Sequence, residues 1–420
     1  MRVLMVSQFY APVVGGIERA VQNMGAALVR RGHHVALATL WNEGLPEFEV
    51  DQGVRVHRVR GAFQRASRLF TDPQRPHLPP APDPQAVRGL RRVIEQERPD
   101  VIHAHDWFVH SLVAPQRRRH VPLVMSLHDY SLICANKRLM RGDEPCSGPS
   151  LGKCLRCASN QYGMAKGPAT ALALRARSRA VRAAVDRFLP VSASVASRCG
   201  FGMGETPFDV LPNFMSDEDF AYADALDAHD QDADLPDTDF LLFFGDATHD
   251  KGIDVLLSAH RALGHHPALV VMGRPLAASL RMAPPNVHVL GARPHRAVLR
   301  AARRASIAIV PSLWAEPFGL VALEAMATGT PVVAARSGGL EEVLVDGETG
   351  FLTPPGDSDA LAVALRRLLD DSELRTRMAS AARRRAEHFR EEPVIGELER
   401  IYRDTIESAR PATMPQGTAG

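Results

Sequence analysis

The feature of this sequence that most restricts its fold is an alternation of short apolar runs with amphipathic stretches, which occurs twice. Residues 2–7, RVLMVS, are typical of a buried strand, and after a glycine loop residues 17–31 have the apolar spacing of a helix. The same order returns later, with the strand LLFFG at 241–245 and a helix over 253–263. Strands that alternate with helices form parallel sheets with helices on both faces. We therefore predict an α/β fold of two Rossmann-like, doubly wound domains that face a central cleft.

Domain boundaries follow from the length and from changes in composition. At about 100–200 residues per domain, 420 residues suffice for two or three domains, each with a core of its own. An acid-rich stretch without periodicity is typical of a linker between them. The predicted parts are an N-terminal domain (1–213) with a cysteine-containing loop (129–165), a linker (214–239), a C-terminal domain (240–392), a helix that packs back on the N-terminal domain (393–409) and a frayed tail (410–420).

Composition and charge exclude several classes of protein. With 45% hydrophobic and 23% charged residues, the chain has the average composition of a globular protein, which argues against disorder and coiled coil. The 50 basic and 48 acidic residues nearly cancel, so no overall field points to nucleic acid or to an anionic membrane. The sequence contains neither a run of about 18–20 apolar residues nor a signal-peptide pattern, and we expect a cytoplasmic protein. It also lacks Walker and H-E-x-x-H motifs.

The segment WAEPFGLVALE carries the first functional signal. Glu316 and Glu324 lie eight residues apart, on either side of Gly319, where an apolar strand is followed by a helix. The N–H groups and the positive partial charge at the start of a helix attract phosphate, so Gly319 and Leu320 can approach one closely. Glu324 lies more than a turn into the helix, where it can accept hydrogen bonds from sugar hydroxyls. Spacing alone leaves a simpler interpretation open, in which Glu316 complements the helix dipole and Glu324 is a solvated acid.

This segment, together with two others, resembles a known family. The two glutamates match the E-x7-E element of the retaining glycosyltransferases of family 4. Residues 331–357 resemble the C-terminal signature of that family, and residues 9–20, FYAPVVGGIERA, are similar to its glycine loop. The resemblance covers nearly the whole chain apart from the cysteine-containing loop and the tail. It implies a GT-B fold, with a nucleotide-sugar donor bound mainly by the C-terminal domain and an acceptor bound mainly by the N-terminal domain.

The resemblance also implies roles for individual residues. Glu324 matches the glutamate that holds the ribose hydroxyls, and Glu316 matches the one that contacts hydroxyls of the donor sugar. Lys251 matches the lysine that neutralises the leaving diphosphate. His128 matches a histidine near the donor sugar, with a structural histidine at a strand end as the alternative. The implied catalytic residues are His128, Lys251 and Glu316. The implied donor-binding residues are Gly15, Gly16, Lys251, Arg274, Glu316, Phe318, Gly319, Leu320 and Glu324.

One position departs from the family pattern. The family usually has an arginine directly after the glycine that corresponds to Gly245, and this chain has Asp246 there. A carboxylate repels a diphosphate, so we expect Asp246 to point away from the site or to be neutralised. Arg274, in the segment MGRP, can supply the missing cation from the next strand end. The departure also leaves open a degenerate GT-B protein that binds a nucleotide sugar without transferring it.

The resemblance implies transfer with retention of the anomeric configuration. A double displacement needs a carboxylate nucleophile beside the anomeric carbon, and the matching positions offer no obvious one. We therefore expect a substitution on one face of the sugar, in which the departing phosphate oxygen helps to deprotonate the acceptor. The protein then contributes positioning and electrostatic stabilisation, and catalysis requires no cofactor. The D-x-D fragments at 217–219, 232–234 and 237–239 are interpreted as solvated charge in the linker rather than as metal ligands.

Four of the five cysteines lie within 24 residues of one another, namely Cys134, Cys146, Cys154 and Cys157. Their spacing can place four thiolates around one zinc ion. Such a zinc would be structural rather than catalytic, because it would organise a loop that has no core of its own. Free thiols or redox pairs are the alternative.

The acceptor is less constrained than the donor. We expect Asp106, Trp107 and Asp129 to contribute to its pocket, and we favour a small soluble acceptor. The alternative is a lipid-linked or polysaccharide acceptor at a membrane surface, because the predicted helix over 170–187 carries five arginines beside apolar residues. A sugar phosphate is a third option, supported only by Arg65, Arg68, Arg75 and Arg138. No nucleic-acid partner is expected.

Overall fold

The structure is a computed structural model, which describes residues 1–13, 15–64, 78–116, 121–202, 206–227, 234–264 and 267–409. The predicted tail over 410–420 lies outside these residues, as do Arg65, Arg68 and Arg75 of the sugar-phosphate hypothesis. In the part of the chain that is described, no helix is both long and apolar enough to cross a membrane.

The N-terminal half alternates strands with helices. Its elements are β1 (Arg2–Val6), α1 (Gly16–Arg30), β2 (His34–Leu40), β3 (Phe48–Asp51), β4 (Val54–Val59), α2 (Pro84–Glu97), β5 (Val101–Ala104), α3 (Val109–Gln116), β6 (Leu123–Leu127), β7 (Met140–Arg141), β8 (Glu144–Pro145), α4 (Leu151–Tyr162), α5 (Lys166–Arg182), β9 (Arg187–Pro190) and α6 (Ala193–Arg198). Seven strands form one sheet in the order β3-β4-β2-β1-β5-β6-β9, which is parallel except where β3 pairs with β4.

The C-terminal half has the same organisation. Its elements are α7 (Asp217–Ala225), β10 (Phe240–Phe244), α8 (Ile253–Ala262), β11 (Ala268–Met272), β12 (Val287–Gly291), α9 (His295–Arg304), β13 (Ile307–Val310), α10 (Leu320–Ala327), β14 (Val332–Ala335), α11 (Leu340–Val343), β15 (Gly350–Thr353), α12 (Ser358–Asp370), α13 (Ser372–Ala386) and α14 (Glu391–Ala409). Six strands form a parallel sheet in the order β12-β11-β10-β13-β14-β15.

The two sheets confirm the predicted α/β fold class, and their burial explains the apolar runs in the sequence. Parallel strands covered by helices are buried on both faces and therefore read as continuous apolar runs. Every residue of β6 and of β10 is buried. The carboxyl ends of the strands lie at one edge of each sheet, which is where ligands bind in folds of this kind.

The last helix, α14, packs against the N-terminal half rather than the C-terminal one. It shares an apolar cluster with residues of β1 and α1, to which it contributes Val394, Ile395, Leu398, Ile401 and Tyr402. Arg31 donates to Glu399 over 2.8 Å at the rim of this contact. The chain therefore crosses between the halves twice, and the two crossings are joined by a hydrogen bond of 3.0 Å from the N–H of Met215 to the carbonyl of Phe389.

The segment 214–239, which the sequence predicts as a linker, contains the helix α7. The hydroxyl of Ser216 caps α7 by accepting the N–H of Asp219 over 3.1 Å. The three acids of its first turn lie at the positive end of the helix dipole, so the acid-rich composition stabilises this helix. Asp217 is also ion-paired, with Arg390 at 3.0 Å, and is not merely solvated charge.

The cysteine-containing loop over 129–165 also has more regular structure than predicted. It includes the short hairpin β7–β8 and helix α4, and α5 begins at Lys166 instead of residue 170. Helices α4 and α5 pack so closely that a Cβ at Gly167 would lie 2.3 Å from the carbonyl oxygen of Ala158. Ala158 is the only fully buried residue of α4 in the described structure.

Candidate functional site

A cleft between the two halves collects most of the predicted catalytic and donor-binding residues. It encloses about 1020 Å³ of space that is partly open to solvent. The predicted residues that line it are Gly16, His128, Lys251, Glu316, Phe318, Gly319 and Leu320. Its lining also includes Asn213, Asp246 and Ser312. Several of these residues directly follow strands β6, β10 and β13, as expected for a site at the carboxyl edge of a parallel sheet.

Lys251 and Glu316 form an ion pair within the cleft. The Lys251 Nζ lies 2.6 Å from Glu316 Oε1, and the hydroxyl of Ser312 donates to the same oxygen over 2.6 Å. The Glu316 side chain is only 7% exposed, whereas that of Lys251 is 31% exposed. The carboxylate is thus fixed by two donors, while the ammonium group stays accessible to a ligand.

The position of Lys251 depends on the glycine that follows it. Gly252 has a φ of +77°, and a Cβ there would lie 1.9 Å from the carbonyl oxygen of Pro311. Only glycine permits this approach. It brings the loop after β10 against the end of β13, and so places Lys251 beside Ser312.

The start of α10 offers N–H groups to the cleft. Gly319 precedes this helix with a φ of +107°, and a Cβ there would lie 2.6 Å from a methyl group of Leu340. Gly319 has no side chain that could cap the helix, and both Gly319 and Leu320 line the cleft. The N–H groups of the first turn, together with the helix dipole, therefore form a surface that favours phosphate oxygens.

Glu324 is held by a residue from the other half of the chain. Arg19 Nη1 donates to Glu324 Oε1 over 3.0 Å and lies 2.8 Å from Nδ1 of His295. The Glu324 side chain is 10% exposed and lies outside the lining of the main cavity. Sequence reasoning missed Arg19, and the available signal was a cation within the first turn of the helix that follows the glycine loop.

Asp246, which departs from the family pattern, is neutralised. Arg274 donates two hydrogen bonds to its carboxylate, of 2.9 and 2.6 Å. The two residues meet because the loops after β10 and β11 run side by side, with a hydrogen bond of 3.0 Å from the N–H of Ala247 to the carbonyl of Arg274. Both side chains are about half exposed. Because Arg274 is engaged in this pair, its donor-binding role stays a prediction.

His128 lies where β6 ends and is neutral at pH 7. Burial lowers its pKa to about 4, against the opposing effect of the Asp129 charge. Its Nε2 lies 3.1 Å from Nδ1 of His105, a second buried histidine. A neutral imidazole can donate one hydrogen bond and accept another, so His128 can contact a donor sugar without adding charge to the cleft.

The three residues predicted to bind the acceptor do not line the cavity. Asp106 uses its carboxylate to hold the chain after β1 and its own loop, since it accepts the N–H groups of Gln8 at 2.6 Å and of Phe108 at 2.8 Å. Burial raises its pKa to about 6. Trp107 is buried and donates to the carbonyl of Ser131 over 2.8 Å. Their acceptor-binding role stays a prediction, as does that of Asp129, which accepts the N–H of Ser131 over 2.8 Å.

The four clustered cysteines line one small pocket within their loop, with a cavity volume of about 20 Å³. Cys134 donates to Oδ1 of Asn136 over 2.8 Å, and burial raises its pKa to about 11. Within the described part of the chain, no three His, Cys, Asp or Glu side chains stand close enough together to hold a metal ion. All five cysteines are free thiols. The structural zinc site stays a prediction, which requires the thiols to lose their protons and converge when metal binds.

The same loop contacts the C-terminal half next to the catalytic candidates. Arg138 Nη1 lies 2.9 Å from Asp250 Oδ2, one residue before Lys251. The hydroxyl of Tyr130 donates over 3.0 Å to the carbonyl of Ala315, one residue before Glu316. Sequence reasoning gave no sign of these contacts, because they join residues more than 100 positions apart.

Comparison with known proteins gives matches over most of the chain. A family model described as "Glycosyl transferase 4-like domain" matches residues 15–213, and one described as "Glycosyl transferases group 1" matches residues 227–385. The glycogen synthase of Mycobacterium tuberculosis is 30% identical to this chain, over 92% of this chain and 90% of its own length. A D-inositol 3-phosphate glycosyltransferase of Nocardiopsis dassonvillei is 29% identical, over 93% of this chain and 89% of its own length.

Solved structures share the fold. Sucrose-phosphate synthase from Thermosynechococcus elongatus superposes with a TM-score of 0.73 at 22% identity, over 97% of this chain and 99% of that chain. Anabaena HepE in complex with UDP-glucose superposes with a TM-score of 0.67 at 18% identity, over 96% of this chain and 99% of that chain. In both comparisons the match spans the two sheets and the cleft between them.

Proposed function

The chain belongs to glycosyltransferase family 4, and on that premise we propose that it transfers a hexose-like sugar, with retention, from a UDP or GDP sugar to a small soluble acceptor. That it is a GT-B glycosyltransferase that uses a nucleotide sugar follows from the family. The observation that supports the more specific proposal is the Lys251–Glu316 pair. This pair lies beside the start of α10, in a cleft that His128 also lines.

In the proposed complex the diphosphate lies between Lys251 and the first turn of α10. Negative charge on the diphosphate grows as the glycosidic bond breaks, and a preorganised cation and N–H groups stabilise that charge more in the transition state than before it. Glu316, held by Ser312 and Lys251, is available to accept hydrogen bonds from hydroxyls of the donor sugar. Catalysis in this scheme uses no metal ion.

The charges in the cleft support substitution on one face of the sugar. Among the described residues that line it, the carboxylates are Asp246 and Glu316, and each is ion-paired with a cation. A double displacement needs a carboxylate that attacks the anomeric carbon. With both carboxylates engaged, the departing phosphate oxygen is the base that we assign to the acceptor hydroxyl.

A small soluble acceptor has support from relatives that are named D-inositol 3-phosphate glycosyltransferase, whereas the relative named glycogen synthase favours the polysaccharide alternative. The lipid-linked alternative rested on the arginines of α5, and two of these bind groups within the protein. Arg177 donates to the carbonyl of His110 and Arg182 to that of Cys199. The degenerate alternative loses its main support, because Arg274 neutralises Asp246. A cytoplasmic location stays a prediction from the sequence.

The proposal is tested by nucleotide binding and turnover. The thermal unfolding of the purified chain is measured with UDP, GDP, ADP and dTDP, each at about 100 times the expected Kd. One nucleotide is expected to stabilise the chain by about 2.7 kcal/mol, which corresponds to a shift on the order of 5–10 °C. The matching nucleotide sugar is then incubated with candidate polyols and sugar phosphates, and the anomeric configuration of the product is read by NMR.

Matched variants separate binding from transfer. Lys251→Ala is expected to lower kcat by about 10²–10³-fold, whereas Lys166→Ala, on an exposed helix start outside the cleft, is expected to leave it unchanged. Absence of a shift with all four nucleotides, in a chain that is folded by circular dichroism, would contradict the proposed donor site. Binding without any turnover would favour the degenerate alternative.

A further inference from the structure

A row of three histidines extends from the cleft into the N-terminal half. His105 Nδ1 lies 3.1 Å from His128 Nε2, so that one of these nitrogens donates a hydrogen bond to the other. The ring of His103 packs on that of His105, with their centroids 4.1 Å apart. All three side chains are buried, and of the three only His128 lines the cleft. His105 therefore reaches the site through His128.

The row follows from the register of two neighbouring strands. His103 and His105 are two residues apart at the end of β5, so their side chains lie on the same face of the sheet. Strand β6 pairs with β5 so that His103 lies opposite Val124. His128 directly follows β6, which brings its ring beside that of His105.

His103 is fixed at both ring nitrogens. Its Nδ1 lies 2.7 Å from the hydroxyl of Tyr402 on α14, and its Nε2 lies 2.8 Å from the hydroxyl of Ser126 on β6. Both partners are buried. The ring of His103 is thus a rigid surface against which His105 packs.

The three rings are neutral at pH 7. Burial lowers the pKa of His103 to about 3 and that of His128 to about 4. Burial also holds the pKa of His105 well below its usual value, and the neighbouring rings of His103 and His128 act in the same direction. Each ring therefore carries one proton, and its position determines which nitrogen donates.

The hydrogen bond between the two rings leaves one N–H unpaired in either direction. His105 Nε2 and His128 Nδ1 are both buried and have no hydrogen-bond partner among the described residues. Whichever ring donates, one buried N–H lacks an acceptor, which is costly. The contact between His105 Nδ1 and His128 Nε2 is therefore a hydrogen bond on which the arrangement of both rings depends.

We propose that His105 is a positioning residue for the transfer reaction, which holds the ring of His128 in one orientation and one tautomer through the hydrogen bond between them. The proposal rests on the proposed function, in which His128 lies near the donor sugar. The leaving phosphate oxygen remains the base.

Three variants test this role. His105→Leu removes the hydrogen bond to His128, and His105→Asn keeps an N–H group near the position of Nδ1. His110→Leu is the matched control, because His110 is buried and neutral like His105 but lies on α3, with its pKa lowered to about 3 by burial. For each variant we would measure the Kd of UDP and GDP by calorimetry, and the release of nucleoside diphosphate from UDP-glucose and GDP-mannose. The tautomer of His128 is read from its ¹⁵N shifts, assigned with a His128→Gln spectrum.

The expected result separates orientation from folding and from nucleotide binding. His105→Leu lowers kcat by about 10–100-fold, the cost of a misplaced reacting group, and leaves the nucleotide Kd within about twofold. His105→Asn restores most of kcat, and His110→Leu matches the wild type. His128 is a single tautomer in the wild type and in His105→Asn, and becomes a mixture of tautomers in His105→Leu.

Two results would overturn the proposal. One is equal turnover of His105→Leu and His110→Leu, and the other is an unchanged His128 tautomer in His105→Leu. Failure of the proposed function looks different, because the wild type would then bind neither UDP nor GDP. In that case the ¹⁵N shifts still decide whether His105 fixes the ring of His128.

Discussion

The two faces of the cleft hold their polar groups in opposite ways. The C-terminal face is charged, and each lining carboxylate is ion-paired, Glu316 with Lys251 and Asp246 with Arg274. The N-terminal face presents His128, which burial keeps neutral. A leaving diphosphate gains charge during transfer, whereas a sugar hydroxyl does not. The C-terminal face can therefore stabilise charge on the diphosphate, and the N-terminal face can orient hydrogen bonds without adding charge.

Removing the charge of the C-terminal face is expected to have the largest effect. Lys251→Ala deletes the cation that we place beside the leaving diphosphate, and we expect kcat to fall by about 10²–10³-fold, as for the loss of one preorganised stabilising group. Steady-state release of nucleoside diphosphate measures the change. A loss confined to KM would mean that the C-terminal face binds the donor equally in the ground and transition states, and the contrast between the faces would then fail.

The next largest effect tests the loop that joins the two faces. If the four clustered cysteines bind zinc, the purified chain carries about one zinc per molecule by elemental analysis. Cys154→Ser should then lose the metal and lower the Tm by on the order of 5–10 °C. Cys199→Ala, which removes a buried cysteine outside the cluster, should leave the zinc content unchanged. A metal-free chain with reactive thiols in the loop would contradict the zinc site.

A smaller effect is expected from making the C-terminal face more cationic. Asp246→Arg restores the residue that the family usually has and frees Arg274 from its ion pair. We expect UDP or GDP to bind about 3–10-fold more tightly, because added cations act on the diphosphate through a solvent-exposed site of high dielectric. Asp404→Arg is the control, since its pair with Arg400 is similarly exposed. Unchanged affinity in Asp246→Arg would place the diphosphate away from this residue.

The smallest effect is expected from the ion pair that joins α14 to α1 behind the N-terminal face. Hydrogen bonds from Arg31 lower the pKa of Glu399 to about 2, against burial, and this pair holds α14 to α1. Because the pKa is lowered on folding, the pair contributes fully above pH 4.5 and its contribution is lost as the pH falls toward 2. The Tm of Glu399→Gln should therefore lie below that of the wild type at pH 7, and the gap should narrow between pH 5 and pH 3.5. A gap independent of pH would contradict this account.

The sequence predicted the fold class and the donor side of the cleft because both are encoded locally. Alternating apolar and amphipathic segments specify the two sheets, and the segment from Glu316 to Glu324 joins the loop after β13 to the start of α10. It did not predict the pairing of Arg19 with Glu324, which joins positions 305 apart. Nor did it predict that His105 and His103 lie behind His128. The neighbours of a histidine at a strand end are known only when the register with the next strand is known.

Two helices lie in segments that the sequence predicts as a linker and as a loop. The acids near Ser216 favour the first turn of α7, because the Ser216 hydroxyl caps it. Helix α4 lies in the segment that the clustered cysteines led us to interpret as a loop, and it packs on α5 where Ala158 contacts Gly167. In each segment one conspicuous feature of composition outweighed the local signals of a helix.

Helix α14 sets the order in which the protein is completed during synthesis. The apolar surface formed by Val3, Met5 and Leu28 is covered by residues 394–402 of that helix. At about 5–20 residues per second, a ribosome needs about 10–40 s to proceed from residue 214 to residue 409. Throughout that interval the first half of the nascent chain exposes an apolar face while the second half folds beside it. Chaperone binding to stalled chains that end near residue 390 should therefore concentrate on the first half, and should vanish once α14 has emerged.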